Sequence, residues 1–498
     1  MGFLNYLWFL VALPVLSWLL SGVISWWRLR HVPGPPLASV SWVWSAWKMF
    51  WGQAGAYEHL NKYGPVVRVG PYQVVVDDPD AFRQVNGARS LASRDTWYQS
   101  VKFDYKQDTT FSSLEIGPHD KIKAKASFAY SGRDGVDLEA SVDRTTIYFM
   151  ETIRRRYLSA GDKVHEVDFG QFIRYFTMDS IADVGYGQRF GFLDGKDEEY
   201  RYTESVEKLT PLIAFIADVP FLRRFFVSPL TAPLFAPSGK DKHGFGRILG
   251  IAQEIIHDRF ATDSKDQKDM VGAWMRHGMK KSETLAESLI QIIAGSDTTA
   301  TAIRTTVLYI ISTPRVYQRL KAEIGTALAS GNISSPISNA QSKQLPYLQA
   351  VIWEGLRMRP PVTLGVYKIL PPGGGDTTLC GVRLPAGTAV GFNAIAMMRR
   401  KDIFGQDAQL FRPERFLGCD AKTKTEMIHT VELAFGYGRW MCAGKTMAMI
   451  ELNKIFFELL KAFDFQIVYP GKAWHESVTT AYQQNKMWVR ITDAAAEE

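Results

Sequence analysis

Phe435-Gly436-Tyr437-Gly438-Arg439-Trp440-Met441-Cys442-Ala443-Gly444 is the stretch whose reading decides the fold. A cysteine follows a glycine-rich loop and precedes an apolar run. Met447, Ile450, Ile455, Leu459 and Phe463 recur there with a helical period, which predicts a helix over 445–463. Backbone N–H groups at a helix N-terminus stabilise negative charge, so Cys442 stands where a thiolate is favoured. The glycines let the backbone approach a flat ligand closely, and Phe435 can shield one side of the sulfur. Read alone, the same cysteine also fits a buried structural thiol, the commoner fate of a lone cysteine in a core.

Three further segments lie upstream. Ala294-Gly295-Ser296-Asp297-Thr298-Thr299 falls in the middle of a helix expected over 282–312, with Ser282 as N-cap, Glu283 and Glu287 at its positive end and Pro314 past its exit. A mid-helix glycine costs about 1 kcal/mol against alanine, and an aspartate on an apolar helix is costly unless it is paired or used. Ala294 and Thr298 share a face at i,i+4, so the Thr298 hydroxyl can bond the Ala294 carbonyl and bend the helix. Glu354 and Arg357 stand at i,i+3, a spacing equally common on solvated surfaces. Phe411-Arg412-Pro413-Glu414-Arg415-Phe416 completes the set.

Together, in this order, the four segments resemble the cytochrome P450 family, and the likeness runs from Pro33 to the C-terminus. The resemblance implies a mainly α fold with minor β, the cytochrome P450 fold, carrying haem b. It implies Cys442 as the metal ligand to the haem iron, with Phe435, Gly438 and Gly444 in the cofactor-binding loop. It makes Asp297 and Thr298 the catalytic acid–alcohol pair that relays protons to dioxygen. Glu354, Arg357 and Arg415 become a buried ion network serving folding and haem retention. His119, Lys123 and Lys368 fall where the family places haem-binding side chains, and each also reads as an ordinary solvated residue. One position departs from the family: Trp440 occupies the place of the signature arginine, and Arg439 sits one residue earlier. Either Arg439 reaches a haem propionate from a shifted angle, or Trp440 donates its indole N–H instead. This variant loop is similar to pisatin-demethylase-like fungal P450s.

The rest of the chain agrees with this reading. It has 498 residues, 46% hydrophobic and 22% charged, which supports a large core. The formal net charge of +7 is spread thinly, without the basic blocks of a nucleic-acid grip. Three scattered cysteines exclude a disulfide framework, and no zinc-ligand spacing, Walker A loop or nucleophile elbow is present. No flavin or nicotinamide motif accompanies the haem loop, so electrons are expected from a separate NADPH–cytochrome P450 reductase, with cytochrome b5 as a second donor. Residues 1–27 carry no charge and read as a transmembrane helix, 28–36 as a basic, proline-rich linker and 37–498 as the catalytic domain. Arg28, Arg30 and His31 after the span place the domain on the cytoplasmic side of the endoplasmic reticulum membrane, in a single-pass topology.

The function expected is a haem-thiolate monooxygenase that oxidises an apolar small molecule in fungal secondary metabolism. An oxidative rearrangement or isomerisation on the same fold is the alternative. A non-catalytic haem sensor or electron carrier is a weaker one. The expected substrate-lining stretches are 97–101, 206–235, 289–294, 362–366 and 479–482. Hairpins are expected at 66–77 and at 478–492.

Overall fold

The computed structural model describes residues 16, 20–102, 104–261 and 266–494. Its organising element is the helix Lys281–Ile311, 31 residues long and buried over most of its length. Glu283 accepts the backbone N–H of Lys280 at 2.8 Å, so the helix starts one residue before Ser282 and is capped through Lys280. Four helices pack against it or one another to form the main core: Leu138–Arg156, Phe169–Tyr186, Pro346–Met358 and Lys445–Ala462. Gly295 earns its place in mid-helix here, because a Cβ would lie 3.1 Å from Ile181 Cδ1 of the crossing helix.

The larger sheet has the strand order Val66–Arg68, Gln73–Val76, Ala389–Asn393, Leu364–Ile369, Ser93–Arg94. The expected hairpin at 66–77 is present, antiparallel, with Val66 opposite Val76. At the far edge the register sets Arg94 directly opposite Lys368. The 478–492 region is not one hairpin. His475–Val478 pairs with Tyr482–Asn485, while Trp488–Asp493 crosses to a second sheet with Phe463–Ile467 and Glu166–Asp168. The strand Trp488–Asp493 alternates its burial, and it finds its apolar partners in that second sheet.

Most of the N-terminal span expected to cross a membrane, residues 1–15 and 17–19, lies outside the described residues. Among the described residues no helix is long and apolar enough to cross a membrane. Residues 20–29 are helical, with Leu20, Val23, Ile24, Trp26 and Trp27 exposed. The linker segment 28–36 packs against the body of the protein. Leu29 and Val32 are buried against Val66, Val74 and Leu384, and Arg68 donates to the Ser25 carbonyl at 2.8 Å.

Candidate active site

The Cys442 loop is fixed by one short bond and one close approach. The Cys442 N–H donates to the Phe435 carbonyl at 2.7 Å, closing the loop. Gly438 has φ +59°, and a Cβ there would stand 2.5 Å from the Asn86 carbonyl oxygen, so only glycine lets the loop rest on residues 86–88. Cys442 then opens onto a cavity of about 270 Å³. Burial pushes the thiol up, opposed by the N–H groups of Gly444 and Lys445 and by the charge of Lys123. A bound metal ion would reverse that balance, since a coordinating thiol is deprotonated outright.

From the long helix Ala294, Gly295, Thr298 and Thr299 line the same cavity. The Thr298 hydroxyl donates to the Ala294 carbonyl at 2.8 Å, the i,i+4 bond expected from the sequence. Asp297 does not line the cavity. Arg174, buried on Phe169–Tyr186, donates through Nε to its Oδ1 at 2.7 Å. Neighbours on a helix point about 100° apart, so the acid and the alcohol cannot share a face, and the acid has found a cation.

The three residues of the expected ion network meet. Glu354 accepts from Arg357 at 2.7 and 2.8 Å and from Arg415 at 3.0 and 3.1 Å, all three being buried. Asp407, which the sequence did not single out, accepts from Arg415 at 3.1 Å.

At the rim, Arg439 and Trp440, the two alternatives the sequence left open, are placed differently. Arg439 is turned out of the cavity, where it pairs with Asp120 at 2.6 Å and donates to the Ala88 carbonyl. Trp440 takes its place on the wall, buried, with its indole Nε1 unpartnered. Lys123 lines the cavity and donates to the carbonyls of Arg439 at 2.6 Å and Met441 at 3.1 Å. Lys368 lines it too, donating to Tyr98 Oη at 2.6 Å. His119 packs its ring 4.4 Å from Trp440, and burial with the nearby Arg94 charge pulls its pKa down to about 4, leaving it neutral at pH 7. Phe435 and Gly444 line the cavity, whereas Gly438 acts through the loop's seat.

Sequence reasoning missed four residues on or beside this cavity. Arg94 is 7% exposed and bonds the carbonyls of Thr110 and Ser113, leaving Nε unpartnered. Its strand is two residues long, too short to leave a pattern. Tyr130 lines the cavity and donates to Glu287 at 3.0 Å. Glu287 is not the surface dipole partner expected. It is wholly buried and accepts the Thr110 N–H at 2.9 Å, and its burial raises its pKa. A signal existed, because Glu287, Ala294 and Thr298 follow one helical face at i, i+7 and i+11. Glu451, on the cysteine helix, lines the cavity beside Thr299. Of the expected lining, Tyr98, Ile290, Gln291, Ala294, Val362 and Val366 reach the cavity, and no residue of 206–235 or 479–482 does.

A flat dianion with a metal at its centre suits these walls. The sulfur stands on one element, while buried Arg94 and Lys368 have no carboxylate within 4.0 Å among the described residues. Fold and cavity thus define a class, the enzymes that hold an iron porphyrin through a cysteine thiolate. Within it, the chain belongs to the cytochrome P450 family, whose profile (Cytochrome P450) matches residues 33–481. It is similar to Cytochrome P450 monooxygenase aba1 of Botryotinia fuckeliana, 40% identical over 478 residues covering 94% of this chain and 93% of the relative. It is equally similar to Cytochrome P450 monooxygenase ABA1 of Pyricularia oryzae, 40% identical over 95% of this chain and 94% of the relative. Cytochrome P450 monooxygenase mpaDE of Penicillium brevicompactum is 28% identical over 94% of this chain and 56% of the relative. The chain is a P450 monooxygenase, and haem iron is its cofactor.

Proposed function

We propose that this enzyme inserts one oxygen atom of O₂ into an apolar small molecule of fungal secondary metabolism and reduces the other to water. The observation carrying the proposal is that the Cys442 thiol and the Thr298 hydroxyl open onto one cavity, from two elements far apart in sequence. When bound there, a haem held by Cys442 supplies the activation of dioxygen.

The chain's own residues do the rest. Phe435 and Gly444 shape the loop around the sulfur, and Gly438 seats it. Thr298 holds a proton-bearing hydroxyl at the cavity wall, its other bond already made to the Ala294 carbonyl. Asp297, the expected partner of Thr298, is held by Arg174 outside the cavity. Lys123, Lys368 and His119 line the cavity and would hold the edge of the cofactor, and the buried Glu354–Arg357–Arg415 network ties together the segments that carry it. The other walls are predominantly apolar (Ile290, Val362, Val366, Phe392), which favours a greasy substrate.

Electrons come from NADPH through a separate reductase, with cytochrome b5 as a second donor, and the surplus of basic residues suits an acidic partner. The uncharged run 3–27 anchors the enzyme in the endoplasmic reticulum membrane with the domain in the cytoplasm. Exposed Trp26, Trp27, Leu230, Leu234 and Phe235 support that attitude.

Carbon monoxide binding to the reduced protein tests the core of the proposal. A red-shifted Soret band of the thiolate type is expected, and it should vanish in Cys442→Ala. Its absence from the wild-type protein, or its survival in that variant, would refute the reading.

A further inference from the structure

We propose that Glu451, not Asp297, is the carboxyl group that supplies protons to Thr298, handing them on through the Thr299 hydroxyl where the cysteine helix meets the long helix. The proposal rests on the haem-thiolate reading above and adds to it the source of the protons that dioxygen reduction consumes.

The long helix decides which side chains can serve. Ala294, Gly295, Thr298, Thr299 and Ala302 form one face of it, at i, i+1, i+4, i+5 and i+8, and all five line the cavity. Asp297 falls off that face, and Arg174 holds it at 2.7 Å. Among the described residues that line the cavity, Glu451 is the one carboxyl group. The basic groups on the same wall are engaged elsewhere. Lys123 donates to the carbonyls of Arg439 and Met441, and Lys368 to Tyr98 and the Val366 carbonyl. His119 is neutral at pH 7 and bonds Asp120 at 2.9 Å.

The cysteine helix presents a matching face. Met447, Ala448, Glu451 and Leu452 line the cavity at i, i+1, i+4 and i+5, so the acid interrupts an otherwise apolar stripe. It is 3% exposed, and no cation lies within 4.0 Å of it among the described residues. An acid placed there without a counter-charge is costly, and such positions are characteristic of functional groups. Its polar neighbours are two hydroxyls, Thr299 on the long helix and Ser180 on the helix Phe169–Tyr186. Burial raises the carboxyl to about 7 against these hydroxyls, and no charged side chain adds to the balance. A group that titrates near neutrality both holds a proton at pH 7 and can release it.

The relay moves protons only. The Glu451 O–H bond breaks and its proton passes to the Thr299 oxygen, directly or through one water. The proton that Thr299 gives up passes to the Thr298 oxygen, which is open to accept because its own hydrogen is turned to the Ala294 carbonyl. Thr298 then releases a proton to dioxygen, whose electrons come from NADPH through the reductase. The Glu451 carboxylate left behind recovers a proton from solvent before the next transfer.

Cryoreduction tests the relay without a substrate or a reductase. Reduced holoenzyme is mixed with dioxygen, frozen, and irradiated at liquid-nitrogen temperature to supply the second electron. It is then annealed stepwise while electron paramagnetic resonance follows arrival of the proton. At a fixed annealing temperature, Glu451→Gln should slow that step about 10²-fold, the lower end of what a positioned proton donor contributes. Thr299→Val should slow it similarly, and Glu451→Asp should recover part of the rate. Wild-type enzyme at about pH 8 should approach the glutamine variant, and at about pH 6 it should be fast, because the carboxyl loses its proton between them. Glu451→Gln should show no such difference, and a merely structural role would not produce one. Wild-type annealing in Glu451→Gln or in Thr299→Val would overturn the proposal. If Glu451→Gln does not retain haem, the pH comparison on the wild type decides, and equal rates at the two pH values would overturn it. The ferrous carbon monoxide spectrum is read on every variant. A thiolate band in the wild type keeps the haem-thiolate reading intact whichever way the proton rates fall, and its absence sinks that reading and this proposal with it.

Discussion

Arg174 and Asp297 form an ion pair of 2.7 Å across the two longest-packed helices of the core, with the arginine 2% exposed at its side chain and the aspartate 26%. The second cationic nitrogen of Arg174 lies 3.8 Å from Glu207 on the helix Tyr202–Asp218. Removing the aspartate's charge would leave a buried guanidinium with one distant partner, and removing the arginine would strand a carboxylate in the middle of the long helix. Breaking a pair of this burial costs about 3–5 kcal/mol. Arg174→Met should therefore lower the urea midpoint clearly. The double variant Arg174→Met/Asp297→Asn should recover part of the loss, because neither charge is then left alone. Equal midpoints for the single and double variants would show that the pair is not coupled.

Thr298 exposes its hydroxyl to the cavity, where Asp297 does not reach. Thr298→Val keeps the β-branched shape and deletes the proton-bearing group. A positioned proton donor contributes about 10²–10⁴-fold to a reaction step, so product formed per NADPH consumed should fall at least tenfold while NADPH oxidation continues. The two quantities are measured together with reductase and a turned-over substrate. An unchanged ratio would assign Thr298 to helix geometry alone.

What the sequence makes legible follows the range of the interactions involved. The bond from Thr298 to Ala294 and the pairing of Glu354 with Arg357 are local, four and three residues apart, and helical spacing shows them directly. Arg94 opposite Lys368 depends on a sheet edge joining residues remote in the chain, and no local pattern records it. Adjacency suggests that Asp297 and Thr298 work side by side, yet adjacency on a helix sends side chains to different faces. Periodicity places Glu287 on the cavity face, but an acid near a helix start also has a ready explanation in the helix dipole, and that explanation conceals it. The strand Trp488–Asp493 reads as half of a hairpin because its own alternation cannot name its partner.

Gly438 carries a strict geometric demand. Its φ of +59° and the 2.5 Å that would separate a methyl carbon there from the Asn86 carbonyl oxygen leave no room for a side chain. Gly438→Ala should lift the cysteine loop off residues 86–88 and weaken the seat that Arg439 also uses through the Ala88 carbonyl. Strain of this kind costs about 1–3 kcal/mol locally. The expected result is a folded protein by circular dichroism that binds haem at a reduced stoichiometry. Full haem occupancy with an unshifted thiolate-type carbon monoxide band would show that the loop tolerates the displacement.

Glu451 gives the protein a pH-dependent stability with a definite sign. Burial raises its carboxyl from 4.5 to about 7, opposed by the neighbouring Ser180 and Thr299 hydroxyls, which favour the charged form. The folded state holds this proton more tightly than the unfolded chain does. Its stabilising contribution is therefore fully present below the unfolded value and is lost as pH rises through the folded one. The shift bounds the effect at roughly 3 kcal/mol. Glu451→Gln keeps a polar group of the same shape beside Ser180 and Thr299 and removes the titration. Urea midpoints of the two proteins should nearly coincide at about pH 4 and separate progressively toward about pH 8, with the glutamine variant the more stable there. A difference that stays constant across this range would mean that Glu451 is charged throughout, its proton already surrendered to a neighbour on the cavity wall.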